Sequence, residues 1–263
     1  MSKMITSFQF ANGKMLKNLI NLVKDVVNDI QFLVVKSRIQ ILNMNQNEDV
    51  LLDVVIKPSK IEAFELNREK ILFCVDSTLL YKILNYCENK KPVLFYINED
   101  DFYEGIVNFV NIKIDGNVSK LKTIENQMEI ECEKMNYDIE LQVKTKVFLK
   151  NLRMMVNNAE TINLDFKKKQ FVLKNNNESV NIENVIENEI VLLKNIDVYN
   201  EDFLSKNLKI LLKLSSFSNE LVLCFLKDSP LLIEINIFDF GNLSLYFKSN
   251  DVNTVDVLDD DNN

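Results

Sequence analysis

Two kinds of hydrophobic spacing alternate along the chain. Apolar residues recur with helical spacing in Lys14–Ile30, Leu79–Cys87, Val147–Asn157 and Phe203–Lys213. Short apolar runs between them, separated by Asn, Gly, Pro and Ser, predict β-strands. The predicted order is a strand, a helix, several strands, a second helix and several strands, and it occurs twice. This pattern indicates an α+β protein of two similar domains, with four helices and antiparallel sheets.

The predicted strands cover most of the rest of the chain. They are Thr6–Phe10, Phe32–Val35, Arg38–Met44, Val50–Ile56, Ile61–Leu66, Ile71–Val75, Val93–Ile97, Phe102–Ile114, Val118–Ile124, Tyr137–Val143, Thr161–Phe166, Gln170–Leu173, Ser179–Ile186, Glu189–Leu193, Glu220–Leu226, Leu231–Phe238 and Leu243–Phe247. A polar stretch rich in acids and amides, 123–136, divides the two repeats. The predicted domains are therefore 1–122 and 137–250, joined by a connecting linker at 123–136. Residues 251–263 form an acidic tail of a composition typical of disorder.

Basic residues lie opposite the apolar stripe in all four predicted helices. The set is Lys14, Lys17, Lys24, Lys82, Lys150, Arg153, Lys206, Lys209 and Lys213. The whole chain is acidic, with 39 acids against 31 bases and a net charge of -8. Ordinary solvated helix faces are the alternative interpretation. They would carry acids at least as often, yet none of these stripes has an acid at its centre, so the pattern favours a surface for an anionic partner.

Composition excludes several classes of function. The chain has no histidine, only 4 glycines and no glycine-rich phosphate loop, and no serine or cysteine in a nucleophile-elbow motif. Its 4 cysteines are widely spaced without a CxxC motif, which is typical of reduced, mostly buried thiols. No apolar run reaches membrane length, and the N-terminus lacks a signal-peptide core. We expect a non-enzymatic protein without metal, cofactor or membrane association.

Particular motifs resemble the proliferating cell nuclear antigen family of sliding clamps. Gly13-Lys14-Met15-Leu16-Lys17 resembles the start of the family's first helix. The segments Asp228-Ser229-Pro230-Leu231 and Asp239-Phe240-Gly241-Asn242-Leu243 are similar to its closing hairpin. The resemblance extends to about residue 250, and it is weakest at 106–136 and in the middle of the second half.

The resemblance implies a homotrimeric ring around duplex DNA, with the helices inside and the sheets outside. It further implies sequence-independent DNA contact, a clamp-loader ATPase, and clients such as DNA polymerase and repair enzymes. Localisation would be nuclear, or at the site of viral replication if the source is a DNA virus. Most of the basic residues above match or nearly match inward positions of the family, whereas Lys14 and Lys209 extend the stripes. Val118–Ile124 and Ser179–Ile186 are the candidate strands for ring closure.

Clients of this family insert a short glutamine-containing peptide, with apolar and aromatic anchors, into a pocket under the linker. Residues at matching positions are Met44, Leu51, Pro230 and Tyr246, with Met128 and Ile130 as linker contributors. Each could instead be an ordinary core residue. Two departures alter the expected rim: Glu48 stands where histidine is common, and Lys248-Ser249 replaces the usual Ala-Pro. Client preference would then differ from that of a typical clamp.

Two other functions compete with a working ring. An enzyme is disfavoured by the composition given above. A clamp relative with another task is the second alternative: a subunit of a checkpoint-type heterotrimer, or a viral clamp-like protein that acts as a monomer or dimer. The mass in solution distinguishes these possibilities.

Overall fold

The computed structural model describes most of the 263-residue chain. It covers residues 3–87, 91–125, 130, 132, 135–167, 170–176, 181–186, 190–194, 198–238 and 240–250. The predicted tail at 251–263 and half of the predicted linker lie outside the described residues. The α+β character with antiparallel sheets is confirmed.

The first half contains two helices among its strands. In chain order the elements are β1 (Met4–Phe10), α1 (Gly13–Val23), β2 (Asp29–Val35), β3 (Arg38–Met44), β4 (Val50–Ile56), β5 (Ala63–Leu66), β6 (Lys70–Asp76), α2 (Ser77–Leu84), β7 (Val93–Asn98), β8 (Phe102–Tyr103), β9 (Ile106–Val107), β10 (Phe109–Ile114) and β11 (Asn117–Lys122). Short 3-10 turns occur at Pro58–Lys60 and Glu99–Asp101.

The second half follows the same plan. Its elements are β12 (Ile139–Lys144), α3 (Thr145–Met155), β13 (Thr161–Lys167), β14 (Gln170–Asn176), β15 (Asn181–Ile186), β16 (Ile190–Lys194), β17 (Tyr199–Leu204), α4 (Ser205–Leu208), β18 (Glu220–Phe225), β19 (Leu231–Ile237) and β20 (Gly241–Phe247). A 3-10 segment, Lys209–Ser216, continues directly from α4.

Strand pairing repeats between the halves. Strand β1 lies between β5 and β7, as β12 lies between β16 and β18. Strand β2 lies between β3 and β6, as β13 lies between β14 and β17. The internal repeat predicted from the hydrophobic pattern is therefore present in the strand pairing.

One sheet joins the two halves. Its strand order is β16-β12-β18-β19-β20-β4-β3-β2-β6, and the joint is the antiparallel pair β20–β4, which runs from Asn242 opposite Val55 to Phe247 opposite Val50. Two smaller sheets of five and four strands have the orders β11-β10-β7-β1-β5 and β15-β14-β13-β17, and β8 pairs with β9 in a separate two-stranded sheet. By strand order, β11 and β15 are the counterparts of β20 and β4. Neither has a second partner among the described strands.

The four helical segments begin in the same way. The first residue of each segment is small and buried. Its main-chain N–H donates a hydrogen bond to a carbonyl group just before another strand, and that strand is the one that follows a neighbouring helix. The pairs are Gly13 to Lys91 at 3.0 Å, Ser77 to Asn28 at 2.8 Å, Thr145 to Asn219 at 2.9 Å and Ser205 to Glu160 at 2.8 Å. At Gly13 a Cβ atom would lie 2.2 Å from the sulfur of Cys87, so the position has no room for a side chain.

A single apolar core runs under the helices and across both halves. Aromatic rings contribute much of its volume. Phe10 from the first half stacks on Phe240 from the second with ring centroids 5.1 Å apart, beside Phe95. The core and the shared sheet thus hold the halves together. Of the cysteines, Cys74, Cys87 and Cys224 are buried as predicted and Cys132 is half-buried; burial raises the pKa of Cys74 and of Cys224 to about 12.

Three predicted elements are wrong in extent. The first helix ends at Val23 rather than Ile30, because Ile30 belongs to β2 and pairs with Val75 of β6. The fourth begins at Ser205 rather than Phe203, because Phe203 lies in β17, a strand that the sequence pattern did not predict. The long strand predicted at 102–114 is three strands. A turn at Gly105, where φ is +87°, separates the first from the second, and Asn108 separates the second from the third.

Gly241 provides a test of the joint between the halves. A Cβ atom on Gly241 would lie 2.4 Å from the main-chain oxygen of Val55 in β4. Because strand backbone cannot yield as a flexible side chain does, we expect Gly241→Ala to lower the free energy of unfolding by about 1–3 kcal/mol. Urea denaturation measures the change. The adjacent exposed position supplies the control, Asn242→Ala, and equal stability of the two variants would contradict a close approach at this joint.

Candidate functional sites

The four helical segments form one layer on one side of the sheets. Helix α1 packs beside α2 and also contacts Lys209–Ser216, which in turn packs beside α3. All charged residues within these segments are lysine or arginine; none is Asp or Glu. The chain carries 39 acids elsewhere, so positive charge is concentrated in this layer, which we call the basic layer.

The predicted cations belong to the basic layer or its immediate ends, and they differ in exposure. Six are exposed: Lys14, Lys82, Lys150, Arg153, Lys206 and Lys209. Three are half-buried: Lys17, Lys24 and Lys213. The structure adds Lys146, which is exposed one turn before Lys150 in α3. The sequence contained this signal as an i, i+4, i+7 spacing with Lys150 and Arg153, but the predicted helix began one residue too late to include it.

One acid does lie at the edge of the basic layer. Asp25 follows α1 directly, and its carboxylate contacts the ammonium groups of Lys24 at 3.2 Å and Lys213 at 2.5 Å. Asp25 lies beyond the end of α1, so it does not contradict the sequence observation that no basic stripe has an acid at its centre. For the other predicted cations, the described part of the chain contains no ion pair.

A pocket of about 390 Å³ opens on the sheet face away from the helices. Successive residues of a strand point to opposite faces. Leu52 and Leu245 therefore enter the core, while Leu51 and Tyr246 face the pocket. Five residues predicted from the family resemblance line it together: Met44, Leu51, Ile130, Pro230 and Tyr246. The sixth, Met128, lies outside the described residues.

Tyr246 belongs to the part of the pocket that the sheet forms, which we call the pocket floor. It lies in β20 between Leu51 of β4 and Leu232 of β19. Burial, together with a hydrogen bond to Cys132, raises the pKa of the Tyr246 hydroxyl above its usual range, so the phenol is neutral at physiological pH. Tyr137 packs nearby with Cys224 and Leu232 in a small apolar cluster separate from the main core. The floor therefore combines apolar side chains with the neutral hydroxyl group of Tyr246.

Several pocket residues were not among the predicted ones. Cys132 and Met135 reach it from the linker region, and Asp49, Asp228 and Ser229 come from two loops. The sequence offered little signal for Cys132, which looks like an ordinary buried thiol. The two departures from the family pattern, Glu48 and Lys248-Ser249, also line the pocket, as expected for the rim.

A hydrogen-bonded loop holds one side of this rim. The side-chain oxygen of Asn45 accepts from the main-chain N–H groups of Asp49 and Val50, both at 3.0 Å, and its amide nitrogen donates to the Asp49 carboxylate at 2.5 Å. Glu48 at the loop tip has a φ of +57°, and Asp228 at the facing loop also has a φ of +57°. Both residues are exposed, lie in tight turns and line the pocket.

Comparison with known proteins agrees with this architecture. Residues 5–134 match the family model described as proliferating cell nuclear antigen, N-terminal domain. The crystal structure of Proliferating Cellular Nuclear Antigen from Entamoeba histolytica has a TM-score of 0.83 with this chain at 15% sequence identity, covering 94% of this chain and 99% of that one. No curated protein matches the sequence.

The fold is that of a sliding clamp, with antiparallel sheets backing one layer of helices across the chain. By sequence, residues 5–134 belong to the proliferating cell nuclear antigen family, whose clamps are non-enzymatic, and the likeness in fold extends over 94% of the chain. Among the described residues no helix combines the length and apolar character needed to cross a bilayer. The same residues hold no cluster of three or more potential metal ligands.

Proposed function

We propose that three copies of this chain close into a ring around duplex DNA and serve as a sliding clamp. The clamp tethers DNA polymerase and other replication and repair enzymes, requires a clamp-loader ATPase, and works in the nucleus or at a site of viral replication. The domains are 1–122 and 137–250, as the sequence predicts. The observation that carries the proposal is the basic layer, free of acids within its helices in a chain of net charge -8.

The basic layer suits contact with a phosphate backbone of any sequence. Lysine ammonium groups are compact point charges on flexible stems, so they attract phosphates without reading bases. Affinity from such contacts falls steeply as salt rises, and the contacts exchange easily. A closed ring would stay on DNA because of its topology, while weak contacts allow it to slide.

Strands β11 and β15, each with one edge that has no partner among the described strands, support closure of a ring. Within the chain, β20 and β4 pair to join the halves, and β11 and β15 hold the corresponding positions in the two smaller sheets. Pairing β11 of one copy with β15 of the next would repeat the internal joint between copies. Both strands expose an apolar side chain, Val118 at 51% and Val185 at 48%, as an uncovered joint would. Such a head-to-tail contact closes into a ring when the rotation per copy permits.

The pocket suits a peptide with an apolar or aromatic anchor. Its floor is apolar, and its volume of about 390 Å³ accommodates a few side chains. We propose that Met44, Leu51, Met128, Ile130, Pro230 and Tyr246 bind the anchors of client peptides.

The mass in solution tests the ring. We expect light scattering to give three times the 30.7 kDa of one chain. Val118→Asp and Val185→Asp should each yield monomers, because a charge in the joint would be buried without a partner. The control is Val191→Asp, at a position 57% exposed on β16.

A stable monomer or dimer of the unaltered chain would instead favour the clamp-like viral alternative. A monomer that assembles only with different clamp chains would favour the heterotrimer. Loss of the ring in the Val191 variant, with retention of the ring in the other two variants, would indicate that the joint between copies lies at β16 instead.

Charge reversal tests the basic layer. The triple variant Lys17→Glu, Lys150→Glu and Lys209→Glu should bind a 30-base-pair duplex at least about tenfold more weakly, because phosphate contacts become repulsions. Fluorescence anisotropy over a range of KCl concentrations measures this. A second triple variant, Lys36→Glu, Lys57→Glu and Lys227→Glu, makes the same change of net charge at exposed positions outside the helices. Equal losses in both would contradict a specific role for the basic layer.

Tyr246→Ala tests the pocket. Removing the ring from the pocket floor should weaken a glutamine-containing peptide with aromatic anchors by about 1–3 kcal/mol, because the anchor loses its main apolar contact. Isothermal titration calorimetry measures the affinity, and light scattering checks that the oligomer is retained. Tyr103→Ala, which alters a tyrosine 68% exposed elsewhere, is the matched control. Unaltered peptide affinity in the Tyr246 variant would place the binding site elsewhere.

A further inference from the structure

Asp25 is shared between two of the cations that the sequence assigned to DNA. Its Oδ1 lies 3.2 Å from Nζ of Lys24, and its Oδ2 lies 2.5 Å from Nζ of Lys213. The three side chains are about one-third exposed: 27% for Lys24, 33% for Lys213 and 37% for Asp25. The carboxylate thus occupies the positions that phosphate oxygens would take at both ammonium groups.

Lys213 also closes the end of a helix in the other half of the chain. Its Nζ donates to the main-chain oxygen of Asn21 at 2.9 Å. Asn21 lies in the last turn of α1, where carbonyl groups lack partners further along the helix. The N–H of Asp25, which would serve that oxygen in a continuing helix, donates to Leu22 instead. Positive charge at a helix C-terminus is favourable. Lys213 is therefore stabilised by the Asn21 carbonyl group as well as by the Asp25 carboxylate.

Lys24 has a second neighbour besides Asp25. Its Nζ lies 5.4 Å from the centre of the Tyr81 ring in α2, within the range of a cation–π contact. Both lysines are therefore engaged within the protein. By contrast, Lys17 and Lys209 have no ion pair within the described residues.

We propose that Asp25 withholds Lys24 and Lys213 from the phosphate backbone and so limits the affinity of the basic layer for DNA. The inference rests on the proposed function, because it divides the same surface into available and engaged cations. The available ones are Lys14, Lys17, Lys82, Lys146, Lys150, Arg153, Lys206 and Lys209. Lys213 mainly braces α1 against the second half, and a phosphate must compete with Asp25 to reach it. Fewer phosphate contacts mean a weaker dependence on salt and easier movement along DNA.

Neutralising Asp25 tests the proposal. Asp25→Asn keeps the size of the side chain and removes its charge. The slope of log affinity against log salt should steepen by about 0.9 for each ammonium group released per copy, and affinity at 0.1 M salt should rise about five- to tenfold for each. Anisotropy of a labelled 30-base-pair duplex, titrated over a range of KCl concentrations with the full-length chain, measures both quantities.

Asp165→Asn is the matched control. Asp165 pairs with Lys174, also at 2.5 Å, in β13, and its neighbours Leu164 and Phe166 enter the core, so its carboxylate faces away from the helices. The control changes net charge equally and breaks an ion pair of the same length. A steeper slope in the Asp25 variant than in the control supports the proposal, and equal slopes overturn it.

Two further measurements keep the result interpretable. In a Lys213→Met background, the gain from Asp25→Asn should be smaller, because one of the two ammonium groups is already absent; a full, additive gain would overturn the proposal. If Asp25→Asn perturbs assembly, Asp25→Ser supplies a second neutral variant with the same expectation. Absence of salt-dependent duplex binding by the unaltered chain would instead contradict the proposed function itself.

Discussion

The antiparallel pairing of β20 with β4 is the contact on which the remaining architecture depends. It makes one sheet from strands of both halves. The pocket exists only because this pairing brings Leu51 beside Tyr246. The continuous helix layer depends on it too, since α1 and the segment after α4 come from opposite halves of the chain. Main-chain hydrogen bonds supply the geometry, and the stacked rings of Phe10 and Phe240 remove the same joint from water.

Charge is sorted by secondary structure in this protein. The charged side chains of the four helical segments are all positive, while the acids among the described residues lie in strands, loops and turns. Such sorting opposes the average composition, so it needs a physical cause beyond solubility. Asp25 is informative because it breaks the rule at the end of a helix, where it meets two lysines at once. The positive field is therefore graded across the layer rather than uniform.

Much of the fold was predictable because each local pattern agreed with the tertiary structure. Four helices, most strands and the repeat followed from apolar spacing, and five pocket residues followed from the family resemblance. The errors have physical causes. Ile30 fits the helical spacing of α1, yet it lies in β2 and pairs with β6. Phe203 likewise fits the helical spacing of the fourth segment, yet it lies in β17 and pairs with β13. Contacts between residues far apart in sequence leave no local trace, so neither the ion pair of Asp25 with Lys213 nor the position of Cys132 in the pocket could be predicted.

The duplicated strand order has a consequence for how any ring of this chain would come apart. The internal seam and the proposed seam between copies are built on the same plan, but only the internal one is spanned by the polypeptide itself. A covalent connection keeps its two edges at high effective concentration, so a transient rupture reseals at once. The seam between copies has no such covalent connection. Dilution, or a clamp-loader ATPase that opens the ring, would therefore separate the seam between copies before the internal seam.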